Sequence, residues 1–189
     1  MKPKLGFALC GSFCTHEKAL GVMASLAESY TLVPILSEAA AGTDTRFGTA
    51  AALIKRVTAL CGREPITTIT EAERLGPAEP LDELLICPCT GNTLSKLANG
   101  ITDGAVTMAA KAHLRRDRPL LIALASNDAL SGSILSLGRL LQRKNVFFVP
   151  MRQDDVTAKP HSLVTDFSLC RPALDLLEKR EQMRPLFLT

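Results

Sequence analysis

The sequence has no tryptophan, one tyrosine and seven phenylalanines, so aromatic residues make up only 4% of its 189 positions. Proteins that hold single-stranded nucleic acid stack its bases on aromatic side chains, and this chain has too few for such a platform. A surplus of one charge is also missing. Lysine and arginine total 22 against 19 aspartates and glutamates, and "RRDR" at Arg115 to Arg118 is the one dense basic cluster. That balance leaves no electrostatic footprint for nucleic acid. No apolar run approaches the roughly 18 residues of a membrane span. The lysine-bearing start "MKPKLGFALCGSF" has an apolar part, Leu5 to Cys10, that is shorter than the roughly 7 to 15 residues of a secretory core, and no small-residue cleavage site follows it. These absences predict a cytoplasmic protein with neither nucleic acid nor membrane as partner. The G-x-G-x-x-G and Gly-Lys-Ser/Thr signatures of common nucleotide sites are absent too.

What is present suits a globular protein. With 47% hydrophobic residues, 189 positions fit one domain with a sizeable core, spanning residues 1–189. Six cysteines in a reducing compartment are thiols by default. The spacings Cys10-x-x-x-Cys14 and Cys87-x-Cys89 invite a metal reading, yet neither is the C-x-x-C pair of common zinc modules. Buried thiols and no metal are the expectation, since free cysteine behaves as a small hydrophobe.

Short apolar runs that read as buried strands occur at Leu5 to Cys10, Thr31 to Leu36, Leu84 to Cys87, Leu120 to Ala125 and Val146 to Val149. Helical patterns separate them. "HEKALGVMASLAESY" puts Leu20, Met23, Ala27 and Tyr30 on one face, and "AALIKRVTAL" does so with Leu53, Val57 and Leu60. Thr70 and Glu73 have capping-box spacing for a short helix before the third strand. "DGAVTMAAKAHL", "SILSLGRLLQ" and "PALDLLEKREQM", with Pro172 near its start, complete the series. The alternation predicts an α/β fold: a Rossmann-like three-layer α/β/α arrangement around a mostly parallel, doubly wound sheet. Ser37 to Gly48 reads as a long loop.

Ligands of such sheets bind beyond the carboxyl ends of the strands. Two segments there are rich in small hydrogen-bonding residues, "CGSFCT" after the first strand and "CPCTGNT" after the third. Gly11 and Ser12 permit close backbone approach, and the helix start that follows is an anion site. Taken alone, Thr90 and Thr93 read as helix caps.

"PCTGNTLSKLANGITD", Pro88 to Asp103, resembles the P-A-S-A-N-T...K-x-A-N-G-x-x-D segment of the homo-oligomeric flavin-containing Cys decarboxylase family. Pro88, Thr90, Asn92 and Thr93 fall on its Pro, Ser, Asn and Thr positions, and Cys89 and Gly91 replace its two alanines; Lys96, Ala98, Asn99, Gly100 and Asp103 continue the match. "TDTRFG", "MAAKA", "NDAL" and "KNVFFVPMRQDD" narrow the resemblance to one branch, along nearly the whole chain. The family resemblance implies FMN on a Rossmann-like fold and trimer-based homo-oligomers with the cofactor near the boundaries between protomers. The branch implies one component of an oxidoreductase of spore-forming bacteria. Its partner is a dehydrogenase-like A subunit, and together they make pyridine-2,6-dicarboxylate from a lysine-pathway intermediate. The implied cofactor set is Gly11, Ser12 and Ser37 around the phosphate, with Pro88, Thr90, Gly91, Asn92 and Thr93 along the flavin.

The chain also departs from the decarboxylases. Their histidine before the third core strand has no counterpart in "EPITTITEAERLGPAEPLDELL", and their P-x-M-N-x-x-M-W motif survives in "LASNDALS" only as Asn127 and Leu130. His16 is placed either at the ligand or in solvent, His113 at the surface by a helix end, and His161 in a polar loop. A dicarboxylate calls for cationic forks, so Arg46 is the first catalytic candidate beside Asn127, with Arg152 next. Two other readings stay open: a flavin prenyltransferase or decarboxylase on this scaffold, and a scaffold protein that has lost the cofactor.

Overall fold

The computed structural model describes residues 2–189. Its strands are β1 (Lys4–Leu9), β2 (Thr31–Leu36), β3 (Glu83–Cys89), β4 (Leu120–Ser126), β5 (Val146–Phe148), β6 (Met151–Asp155) and β7 (Lys159–Thr165). The helices between and after them are α1 (His16–Ala27), α2 (Glu38–Gly42), α3 (Ala50–Cys61), α4 (Ile69–Glu73), α5 (Gly91–Asn99), α6 (Ala105–Leu114), α7 (Ile134–Leu141) and α8 (Cys170–Leu177). The strands form one sheet in the order β2-β1-β3-β4-β7-β6, with β5 also paired to β4. β1 to β5 pair in parallel; β7 joins β4, and β6 joins β7, antiparallel.

Side-chain alternation explains why these runs became interior strands. In β1, Leu5, Phe7 and Leu9 enter one core and Ala8 the other; in β4, Leu121 and Ala123 face the first while Leu120, Ile122 and Leu124 face the second. Successive residues of a strand point to opposite faces, so a strand covered on both sides must be apolar throughout. β3 and β4 are buried at every position. One face packs against α1, α3 and α8, the other against α5, α6 and α7. The strand order reverses between β1 and β3, which opens a crevice at their carboxyl ends.

The structure corrects several sequence expectations. The segment after β2 is not one long loop, because Ser37 caps α2 by accepting from Ala40 N at 3.2 Å. The capping box of α4 is Thr68 with Glu71, two residues earlier than the Thr70 and Glu73 spacing suggested. α1 ends at Ala27 and leaves Tyr30 buried beyond it, and α8 ends at Leu177 rather than running to Met183. Val146 to Val149 is not the last strand: Met151–Asp155 and Lys159–Thr165 form an edge hairpin. His113 is buried, not at the surface, with Nε2 2.8 Å from Pro119 O, and burial pushes its pKa down to about 4.

At the root of β3 the Glu83 carboxyl is buried beside Tyr30, and its Oε2 has no partner. Burial raises its pKa to about 7. The native state therefore favours the protonated acid more than the unfolded chain does. This stabilisation is fully present below the ordinary carboxyl range and is lost as pH rises through about 7. The expected outcome for Glu83→Gln is a smaller loss of stability than wild type between pH 5 and pH 8. The difference in denaturant unfolding should be on the order of 1 to 3 kcal/mol, and parallel pH profiles would contradict it.

Candidate functional site

Three strand ends are tied together at the crevice. Ser37 N donates to Leu9 O at 2.9 Å, joining the end of β2 to β1, and Cys10 N donates to Pro88 O at 3.1 Å, joining β1 to β3. Cys10 is fully buried and uses its other polar groups as well. Its carbonyl accepts from His16 Nε2 at 2.8 Å and its sulfur accepts from Thr93 Oγ1 at 3.3 Å. His16 is thus buried and pinned to the main chain beneath the Gly11 turn, not in solvent, and burial lowers its pKa. Burial pushes the Cys10 thiol up to about 11, so it acts as a hydrogen-bonding post and not as a nucleophile.

Thr90 caps α5: its Oγ1 accepts from Thr93 N at 3.3 Å and donates to Thr93 Oγ1 at 3.2 Å. A relay of hydroxyls therefore runs from Thr90 through Thr93 to Cys10 and holds the β3–α5 turn against the β1–α1 turn. Between these turns lies an open cleft of about 640 Å³. Gly11 and Ser37 form one wall, and Thr90, Asn92 and Thr93 the facing one. The first turn of α6, Gly104 to Thr107, closes a third side. Gly104 has no side chain to cap that helix, so the leading N–H groups of α6 are left without a capping partner at the wall that Gly104 to Thr107 line. Lys96, paired with Asp103 at 2.8 Å, is the cation on this wall, and Glu38 lies across from it.

Five of the predicted cofactor residues, Gly11, Ser37, Thr90, Asn92 and Thr93, are thus brought to one cleft. Ser12, Pro88 and Gly91 are not on its wall. Ser12 takes part in the 3-10 turn Phe13–Thr15, where its carbonyl and Oγ accept from Thr15 Oγ1 at 2.8 and 3.2 Å. Pro88 is interior to the buried β3. Gly91 faces the opposite way, toward the turn after β4. A Cβ there would stand 2.6 Å from Asp128 Oδ1 and Ser126 Oγ and 2.7 Å from Ser133 Oγ. Those groups are themselves bonded, with Asp128 Oδ1 accepting from Ser126 at 2.6 Å and Ser133 at 2.9 Å.

The two catalytic candidates also stand outside the wall. Arg46 is exposed on the turn Thr43 to Thr49, its guanidinium 4.8 Å from the Phe47 ring, although Thr43 of the same turn lines the cleft. Asn127 is exposed in the turn after β4, beside Asp128. Arg152 pairs with Asp166 at 2.6 Å on β6, and His161 is exposed on β7. Sequence reasoning overlooked the contribution of Lys96, Asp103 and the start of α6. The K-x-A-N-G-x-x-D spacing contained that signal, since a glycine turn between two helices had to bring α6 back toward the cleft. Among the described residues no group of three or more His, Cys, Asp or Glu is placed to hold a metal ion, and no helix is long and apolar enough to cross a membrane.

Comparisons with known proteins show the family and the fold. The sequence model of the Flavoprotein family matches residues 1–162. The dipicolinate synthase B subunit of Bacillus subtilis (strain 168) is 40% identical over 184 residues, which cover 97% of this chain and 92% of that protein. The crystal structure of the corresponding dipicolinate synthase B subunit from Bacillus halodurans C has a TM-score of 0.90 at 33% identity, covering 100% of this chain and 99% of that one. The FMN-dependent cysteine decarboxylase SpaF shares the fold, with a TM-score of 0.69 at 22% identity over 94% of this chain and 97% of its own.

Gly91 supplies a test of how the cleft wall is braced from behind. Gly91→Ala should lower stability by about 1 to 3 kcal/mol, the usual cost of overpacking, through disruption of the Ser126, Asp128 and Ser133 cluster. Urea unfolding measures it, and a change within about 0.5 kcal/mol, as for a neutral surface site, would contradict the packing described.

Proposed function

The chain belongs to the Flavoprotein family, and from that premise we propose that it is an FMN-binding B subunit of dipicolinate synthase, one flavoprotein-like unit over residues 1–189. It works in the cytoplasm during sporulation with a dehydrogenase-like A subunit, converting a cyclic dicarboxylate of the lysine pathway to pyridine-2,6-dicarboxylate. The observation that carries the reading is the convergence of the Gly11 turn and the Thr90 to Thr93 turn on one cleft of about 640 Å³, within the size range of cofactor sites. The extent of the likeness to the Bacillus subtilis dipicolinate synthase chain, 40% identity over 97% of this one, supports the choice within the family.

The donor set suits a flavin nucleotide. Asn92 offers an amide with both donor and acceptor to the polar edge of an isoalloxazine ring, and the hydroxyls of Thr90 and Thr93 are fixed beside it. The phosphate is assigned to backbone N–H groups and Ser37, where Gly11 allows close approach. When bound, FMN supplies the capacity to accept or return a hydride. The remaining work falls to the chain. Lys96, held in place by Asp103, draws a substrate carboxylate to the wall. Arg46, on the same turn as Thr43, is proposed to meet the substrate from the rim, and Asn127, on the turn after β4 behind Gly91, to act from outside the wall of this cleft. His16 keeps the Gly11 turn fixed through its bond to the Cys10 carbonyl. α7 leaves Ile134, Leu135 and Leu141 exposed, which suits burial against another copy in a trimer-based assembly.

Titration of the purified protein with FMN, followed by quenching of flavin fluorescence, is expected to saturate. Asn92→Ala should weaken binding about 5- to 10-fold, as for loss of one or two hydrogen bonds. A protein that leaves FMN fluorescence unchanged would favour a scaffold without cofactor. The A and B subunits assayed apart and together on the lysine-pathway intermediate then test catalysis. The expected result is full pyridine-2,6-dicarboxylate formation only with both, and full activity of A alone would remove this chain from the reaction.

A further inference from the structure

A second cavity, of about 370 Å³, lies between the carboxyl ends of α5 and α6 and the turn from α7 into β5. Its apolar lining is made by three side chains: Leu97 is buried, Leu114 half-buried, and Ile101 stands at the rim with 46% of its surface exposed. Four basic residues line it, Lys111, Arg115, Arg143 and Lys144, with one carboxylate, that of Asp117, though the Arg115 guanidinium is turned against Gly76. That carboxylate is already engaged, by Asn145 Nδ2 at 2.6 Å, Lys144 Nζ at 3.1 Å and Arg180 Nη1 at 3.2 Å. Among the described residues, no carboxylate pairs with Lys111, Arg115 or Arg143.

Basic residues gather at helix carboxyl ends for a simpler reason, the pull of unpaired carbonyls, but here that need is largely met by the main chain. At the end of α5, Gly100 N and Ile101 N donate to Leu97 O at 3.3 Å and Lys96 O at 2.9 Å. At the end of α6, Arg115, Arg116 and Asp117 amides donate to Lys111, His113 and Leu114 carbonyls at 2.9 to 3.1 Å. Arg143 reaches Leu97 O only at 3.4 Å. Lys111 and Arg143 are the cations left at the cavity, beside Leu97, Ile101 and Leu114.

We propose that this cavity is a second binding site, for a small one-ring carboxylate whose ring rests on Leu97, Leu114 and Ile101 while its carboxylate meets Arg143 and Lys111. The volume is near the lower end for ligand sites, too small for a nucleotide and fitted to a single ring. Arginine recognises a carboxylate by its planar fork as well as by charge. Thr107 lines both this cavity and the larger cleft, so the two sites share a wall. The proposal does not depend on the flavin assignment of that cleft.

The test is a titration of the full chain with benzene-1,3-dicarboxylate and with the neutral benzamide, followed by amide chemical shifts. The expected result is saturable binding of the dicarboxylate, with shifts at Gly100 to Thr102 and Leu114, and at least tenfold weaker binding of benzamide. Arg143→Gln and Lys111→Ala should each weaken the dicarboxylate at least fivefold. Lys111 is exposed, so its variant reports on recognition even if the Arg143 variant fails to fold. No saturation, equal binding of benzamide, wild-type affinity in Lys111→Ala, or shifts confined to the Gly11 and Asn92 turns would each overturn the proposal.

Discussion

The site depends on how one buried cysteine satisfies its polar groups. Cys10 sits at the end of β1 with no exposed surface, and each of its polar atoms has a partner from a different part of the chain: the Pro88 carbonyl, the His16 ring and the Thr93 hydroxyl. Buried polar groups left unpaired are costly, so these bonds act together to set the distance between two turns. Any displacement of the β3–α5 turn from the β1–α1 turn would leave at least one of them unmade. The cleft keeps its width because its rear corner is closed in this way.

A division of labour follows from the same bonds. Ser37 and Thr90 are occupied in capping α2 and α5, and Thr93 is occupied with Cys10, so their side chains are fixed before any ligand arrives. Asn92 and the leading amides of α6 are the groups left to adapt. Behind α5 the Ser126, Asp128 and Ser133 cluster presses against Gly91, where only a residue without a side chain fits. Preorganised donors around an open hollow, braced from behind, are what a tightly held planar cofactor requires.

The central sheet was readable because both its faces are covered. Residues such as Leu5 to Leu9 and Leu120 to Ala125 had to be apolar without interruption, and the runs stood out. The hairpin β6–β7 did not, because at the sheet edge its first strand is exposed after Met151, and "RQDD" has the composition of a loop. The two frames Thr68 to Glu71 and Thr70 to Glu73 are equivalent as capping boxes; what selects the first is that it turns Ala72 fully into the core. His113 defeated a rule of thumb, since a position near a helix end suggests solvent, but here the Pro119 carbonyl offers the ring a buried partner. In the site, resemblance carried over residue identity and not the direction each side chain faces. Gly11, Asn92 and Thr93 face the cleft, while their neighbours Ser12 and Gly91 turn into a 3-10 turn and a serine cluster. Lys96 and the start of α6 were hidden because their part in the cleft arises from tertiary return of the chain.

The most direct measurement is a crystal structure of the protein grown with FMN. The account predicts the isoalloxazine edge within hydrogen-bonding distance of Asn92, the phosphate against the Gly11 and Ser37 side, and the Cys10 to Thr93 contact unchanged. A flavin bound elsewhere on the molecule, or a cleft that closes on its own side chains in the presence of excess FMN, would contradict it.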